Sequence, residues 1–135
     1  MVFFEWSDDF SVNIAEIDAQ HMRLVEMLNE LYENMTNEQG TTVLGKVLTG
    51  LVEYAGTHFA TEEHYMTTYD FPGYAEHKAE HEAFLAKAVD LLDRYAINPS
   101  LLGVETGRFL RKWLREHITG TDKLYGPFLN DKGVY

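Results

Sequence analysis

Apolar residues recur at three- and four-residue spacing through most of the chain, a period that predicts helices and no strands. A first stripe, His21, Leu24, Val25, Leu28, Leu31, Tyr32 and Met35, predicts a helix over 18–34. Asp18 suits its N-cap and Asn37-Glu38-Gln39-Gly40 its end. A second stripe, Leu44, Val47, Leu48, Leu51, Ala55, His58, Phe59, Glu62, Tyr65, Met66 and Tyr69, predicts a helix over 41–69. Gly45, Gly50 and Gly56 each weaken it by roughly 1 kcal/mol relative to alanine, which the length of the stripe outweighs. Phe71-Pro72-Gly73 stops it. A third helix, from Gly73 or Tyr74 to Ala96, carries Tyr74, His77, His81, Phe84, Leu85, Ala88, Leu91, Leu92 and Tyr95 on its inner face, and Asn98-Pro99-Ser100 breaks it. A fourth, over 100–119, carries Leu102, Thr106, Phe109, Leu110, Trp113, Leu114, His117 and Ile118, and Gly120 interrupts it.

Ahead of the first helix, Phe3, Phe4, Trp6, Phe10, Val12 and Ile14 lack helical spacing and predict an ordered arm lying on the other elements. Leu124-Tyr125-Gly126-Pro127-Phe128-Leu129 predicts a short docked segment at the other end. Four long amphipathic helices with short connections imply an all-α, antiparallel up-down-up-down four-helix bundle. The expected organisation is one domain over 1–135, with the arm at 1–17, the bundle at 18–122 and the C-terminal segment at 123–135.

Composition narrows the chemistry. The 135 residues, 45% of them hydrophobic, suffice for one core. With no cysteine, disulfides, iron–sulfur clusters and thiolate metal sites are excluded, so a bound metal must take nitrogen and oxygen ligands. The formal charge of −11 argues against nucleic acid and anionic membranes as partners. No segment reads as a signal peptide or a membrane span, so a cytoplasmic protein is expected. No long exposed apolar stripe demands a partner, so a monomer is expected.

Of the six histidines, His21, His58, His77, His81 and His117 fall on apolar helix faces, and every helix contributes at least one. Five buried imidazoles in one core are hard to satisfy by hydrogen bonds alone, whereas a shared metal site satisfies them together. His58 and Glu62, like His77 and His81, are four apart, which places the side chains about 6 Å apart along one helix face. His117 and Asp122 are five apart, about 140° out of line on a regular helix. A shared site therefore predicts a distortion near Gly120 that swings Asp122 inward. Seven ligands exceed what one metal takes; two metals bridged by carboxylates use them all, and imidazole with carboxylate suits iron among other divalent metals. His64 lies off the inner face, and Glu63, Glu76, Glu80, Glu82 and Glu116 read as a solvated acidic face.

Trp6, Ile17-Asp18-Ala19-Gln20-His21, His58-Phe59-Ala60-Thr61-Glu62-Glu63, His77-Lys78-Ala79-Glu80-His81 and Trp113-Leu114-Arg115-Glu116-His117-Ile118-Thr119-Gly120-Thr121-Asp122 together resemble the hemerythrin family, in its order and over most of the chain. The resemblance implies two iron ions joined by an oxo or hydroxo bridge. His77, His81 and His117 would hold one, and His21 and His58 the other, which keeps an open position; Glu62 and Asp122 would bridge them. Dioxygen would bind at the open iron, take two electrons and receive the bridge proton as a hydroperoxide. Leu24, Phe59, Trp113, Leu114 and Ile118 would form its apolar pocket. Two carboxylates and five neutral imidazoles, against the four carboxylates of ferritin-like sites, should favour reversible binding over oxygen activation.

That implies a dioxygen carrier or store and no enzyme, any peroxidase-like turnover being incidental, with an oxygen-consuming acceptor protein as its recipient. Sensing of oxygen or redox state and handling of iron or peroxide are alternatives on the same site. Sensors usually carry an output domain, for which a 135-residue chain beginning at methionine leaves no room. His77-Lys78-Ala79-Glu80-His81 also fits the H-x-x-E-H pattern of single-zinc peptidases, with Glu80 as base, but that reading leaves His21, His58, Glu62 and His117 unexplained.

Overall fold

A computed structural model describes residues 4–34, 40–99 and 102–135. Five helices follow a 3₁₀ turn at Asp8–Phe10: α1 (Ala15–Asn34), α2 (Gly40–Thr68), α3 (Tyr74–Ile97), α4 (Leu102–Trp113) and α5 (Asp122–Asp131). α4 and α5 are joined without a break by a π-helical segment, Leu114–Thr121. Described residues contain no strand. α1, α2, α3 and the α4–α5 rod make the four-helix bundle.

Two apolar clusters fill its interior. One gathers Leu24, Leu28 and Leu31 with Leu48, Leu51, Phe59, Phe84, Leu91, Leu110 and Leu114; the other gathers Val12, Ile14, Ile17, Met66, Tyr125 and Leu129. Along α1 the chain runs from the second cluster to the first, along α2 back, along α3 forward and along α4–α5 back again, so the up-down-up-down order follows from which cluster each end supplies. The ionisable core residues fall between the clusters, with His58 at the edge of the first: Ile17, His21, Leu24 on α1; Ala55, His58, Phe59, Glu62, Met66 on α2; His77, His81, Phe84 on α3; Leu114, His117, Asp122, Tyr125 on the fourth rod. The bundle therefore carries a polar layer sealed on both sides by hydrocarbon.

The structure moves several boundaries. α1 begins at Ala15, and Asp18 lies within its first turns, where it holds the arm: its carboxylate accepts from Ser11 Oγ at 2.6 Å and from the Val12 N–H at 2.8 Å. The expected helix-1 end at 37–40 falls largely outside the described residues, as do Phe3, Met35 and the Ser100 start of the fourth helix. The expected interruption at Gly120 does not occur; the rod continues, and the expected short tail segment is the ten-residue helix α5. Leu85 is exposed, at 37%. The inward seam of α3 is the strict four-three alternation His77, His81, Phe84, Ala88, Leu91, and Leu85 lies about 100° round the helix from Phe84.

From Phe4 on, the described part of the arm packs on the bundle, as its apolar content predicts. Phe4 is buried, and its N–H and C=O pair with the Asn29 side chain at 2.7 and 2.9 Å. Val12 passes so close to α5 that a Cβ on Gly126 would lie 2.9 Å from the Val12 carbonyl oxygen. Backbone cannot swing aside as a side-chain tip can. Gly126→Ala is accordingly expected to destabilise the fold by about 1–3 kcal/mol, read as a lower urea midpoint; an unchanged midpoint would refute the close approach.

Candidate metal centre

Each helical pass brings its share of the polar layer to one place. His21 comes from α1, His58 and Glu62 from α2, His77 and His81 from α3, His117 from the π-helical segment and Asp122 from the first position of α5. All seven are buried, none more than 3% exposed. The four-residue spacings act as predicted: His58 Nε2 touches Glu62 Oε1, and the His77 and His81 rings lie 4.6 Å apart.

The five-residue spacing is resolved by the helix itself. In the π-helical segment the bond pattern lengthens to i→i+5, and the Asp122 N–H donates to the His117 carbonyl. That wider turn restores register, and His117 Nε2 lies 2.8 Å from Asp122 Oδ1. A distortion was required here; its form, a π-helical stretch of eight residues rather than a helix end at Gly120, emerges only in three dimensions.

The two carboxylates each face two ways. Glu62 turns Oε1 to His58 and to His21 (3.7 Å), and Oε2 to His77 (3.2 Å) and His81 (3.9 Å). Asp122 turns Oδ2 to His21 (3.1 Å), and Oδ1 to His77 (2.9 Å) and His117 (2.8 Å). Two groups able to hold a metal ion result: Glu62, His77, His81, His117 and Asp122, and His21, His58 and Glu62.

The outward ring edges of His58 and His81 are held by groups that sequence spacing missed. Gln20 Oε1 lies 2.6 Å from His58 Nδ1, and the Gln20 carbonyl accepts from the Tyr54 hydroxyl. Glu63 Oε2 lies 3.2 Å from His81 Nδ1, whereas Glu80 Oε1, which accepts from Thr121 Oγ1, stands 3.6 Å from His117 Nδ1 and leaves that nitrogen without a hydrogen bond. Glu63 and Glu80, read as part of a solvated acidic face, are thus half-buried partners of the cluster. Each reaches a histidine on a different helix, so no spacing within its own helix marks it. Glu76, Glu82, Glu116 and His64 are exposed, as read.

This donor set fits a cation. With Nδ1–H donated to Gln20, His58 Nε2 turns a lone pair toward a carboxylate oxygen, and only a proton or a metal between them relieves the repulsion. His81 Nε2, His117 Nε2, Glu62 Oε1 and both Asp122 oxygens are buried without a hydrogen-bond partner despite their close neighbours. Atoms converging without donor–acceptor alignment are what ligands around a shared cation present. Outward rings anchored by carboxylate or amide oxygen are the usual support for metal-binding histidines.

Protons take the cations' place in the metal-free centre. Burial pulls the His21 and His77 imidazoles down, but Asp122 and Glu62 outweigh it and hold both up at about 9. Burial pushes Glu62 and Asp122 up, yet the surrounding histidines hold both well below the usual carboxylate range. Burial pushes His81 down to about 3. Protons on His21 and His77 thus offset the two buried carboxylates at neutral pH. Because His21 and His77 are raised on folding, their stabilisation is complete below about 6.5, the ordinary histidine value, and is lost as pH rises through about 9. Metal binding must expel those protons. The metal-free protein is expected to lose thermal stability from pH 7 to 9 while its affinity for zinc or ferrous ion rises. Binding at pH 7 should release protons, those of His21 and His77 among them, measured with a pH indicator. Binding without proton release would contradict this charge assignment.

The profile of the hemerythrin HHE cation binding domain matches residues 12–129. The chain belongs to the hemerythrin family. Among hemerythrin relatives, a bacteriohemerythrin of Methylococcus capsulatus is 33% identical over 96% of this chain and 99% of its own length. A bacteriohemerythrin of Stenotrophomonas maltophilia is 36% identical over 93% of this chain and 80% of its own. A crystal structure of wild-type hemerythrin superposes with a TM-score of 0.84 at 32% identity, covering 93% of this chain and 96% of that one. No helix among the described residues is long and apolar enough to cross a membrane.

Proposed function

We propose that this hemerythrin domain binds dioxygen reversibly at a pair of non-haem iron ions, for transport, storage or delivery. His77, His81 and His117 would hold one ion, His21 and His58 the other, with Glu62 and Asp122 spanning both. One observation carries the reading: each carboxylate turns one oxygen to the three-histidine group and the other to the two-histidine group. A single-ion site has no need of two such spanning groups. When bound, the iron pair supplies the electrons for reversible reduction of dioxygen at its open position.

The chain's own residues supply the conditions. With three histidines in one group and two in the other, an ion held by His21 and His58 would have one protein ligand fewer, which would leave room for a small molecule there. Leu24, Phe59, Leu114 and Ile118 are buried in one apolar cluster with Trp113 packed against it, and they would line the pocket. A lining without polar hydrogens gives water no hold and slows loss of the bound ligand. Phe59 lies flat on His81 at 3.9 Å and Trp113 flat on His117 at 3.8 Å, so two pocket residues also fix ligand rings. Burial, together with the Glu62 and Asp122 charges, raises the Tyr54 and Tyr125 hydroxyls well above the ordinary tyrosine value, which keeps both neutral and leaves iron ligation to nitrogen and carboxylate.

The single-zinc peptidase reading loses its base. Glu80 lies outside the ring of ligands, its side chain 44% exposed, turned to His117 Nδ1 and Thr121. An optical spectrum tests the proposal. The iron-loaded protein is expected to develop visible charge-transfer bands under oxygen that fade when oxygen is removed and return with it. A protein that stays colourless in air with two irons bound would overturn it.

A further inference from the structure

Four of the chain's eleven cationic side chains fall within eight residues, Arg108, Arg111, Lys112 and Arg115, in a chain of net charge −11. Their spacing of three, one and three puts them in one stripe along the outer face of α4 and the start of the π-helical segment. All four are exposed, and with Glu116 they frame a surface depression of about 300 Å³. Helix-end electrostatics does not account for the run, because the rod continues without a break to Asp131. Among the described residues, Arg108, Lys112 and Arg115 form no ion pair, whereas Arg94 and Lys87 are tied to Glu105.

The stripe adjoins a cleft of about 280 Å³ that shares Lys112 and Glu116 with it and is walled by Glu80, Phe84, Phe109, Trp113 and His117. Trp113 is half-buried, its ring stacked on His117 at 3.8 Å and 13°, and His117 Nε2 is 2.8 Å from Asp122. Trp113 lies in this side cleft, about 100° round the helix from Lys112, and its ring stacks on one ring of the centre itself. We propose that the outer face of α4 docks a small acidic one-electron carrier protein, which returns the oxidised centre to its ferrous state through Trp113 and His117. The electron step rests on the di-iron reading; the docking does not.

Each encounter moves one electron, oxidising the carrier by one and reducing one ferric ion to ferrous. Two encounters restore the pair, and one proton enters from solvent for the bridging oxygen. Charge decides the partner. Beyond about 8 Å the chain's overall negative field is screened at physiological salt, so a partner seated on the stripe feels mainly the local cations. An anionic bilayer is a plane and would bring the acidic remainder of the surface into repulsion, whereas a compact protein meets only the stripe.

The test uses a reduced [2Fe–2S] ferredoxin of acidic net charge as probe, with the full chain and an Arg111→Glu/Arg115→Glu variant. Calorimetry on the metal-free protein is expected to show affinity at least about tenfold weaker for the variant at roughly 50 mM salt, with the difference vanishing near 500 mM. Stopped-flow mixing with the oxidised iron-loaded protein should show ferredoxin reoxidation slowed about tenfold in the variant. Trp113→Leu should slow reoxidation while leaving ferredoxin affinity unchanged. Equal affinities at low salt overturn the docking; unchanged reoxidation in Trp113→Leu overturns the electron route. Sedimentation with phosphatidylserine vesicles that captures the parent chain and not the double variant assigns the stripe to membrane and also overturns it. Ferredoxin docking that survives in a protein without oxygen-dependent bands would sink the di-iron function alone.

Discussion

His77→Ala is expected to leave a helical protein that retains less than about a hundredth of the parent affinity for iron, beyond the range typical of losing a supporting partner. Of the five clustered histidines, His77 alone has both carboxylates within 3.2 Å of one nitrogen. Its ring also packs against His81, His117 and Tyr125 at 4.6, 4.8 and 5.2 Å. Alanine removes an imidazole that faces both carboxylates, the proposed ligand, and opens a hole in the layer. It also removes a protonated imidazole that faces both Glu62 and Asp122 in the metal-free state, so stability of that form at pH 7 should fall by about 3–5 kcal/mol. Metal analysis after purification, with far-UV circular dichroism to show folding, measures the first effect. The exposed His64→Ala is the control and should keep its metal. Full iron occupancy in folded His77→Ala would remove that residue from the centre.

Leu114→Ala is expected to keep the iron and to shorten the lifetime of the oxygenated form by about tenfold or more. Leu114 is fully buried one turn before His117, in the same cluster as Leu24, Phe59 and Ile118. Truncation removes hydrocarbon from the proposed pocket and lets water approach the bound ligand. It also leaves a cavity that lowers stability by about 2–5 kcal/mol, a second route to a shorter lifetime. Leu91→Ala separates the two effects. Leu91 is equally buried, but it lies ten residues beyond His81 on α3, about 15 Å along the helix. It should lower stability to a similar degree and leave the oxygenated lifetime unchanged. Equal lifetimes in Leu114→Ala and the parent chain would take Leu114 out of the pocket.

Much of this was present in one dimension. A repeating three-four spacing specifies which side of a helix meets hydrocarbon, and that preference is local enough to read directly, which is why the helices and the inward direction of His21, His58, Glu62, His77, His81 and His117 are legible before folding. Leu85 shows the limit. An apolar residue beside a seam reads as part of it, and only the packed neighbour helices determine how wide the seam is.

Tertiary structure decided what depends on two elements at once. Gln20, Glu63 and Glu80 find their histidines across helix boundaries. Asp122 enters the centre because the rod widens into π-helical turns, a distortion that local propensity disfavours and that the surrounding packing must sustain. Chain order determined which donors exist and which way most of them face. Only the packed bundle could bring them within ligand distance of one another, because such closeness is a property of several helices and is encoded in none of them singly.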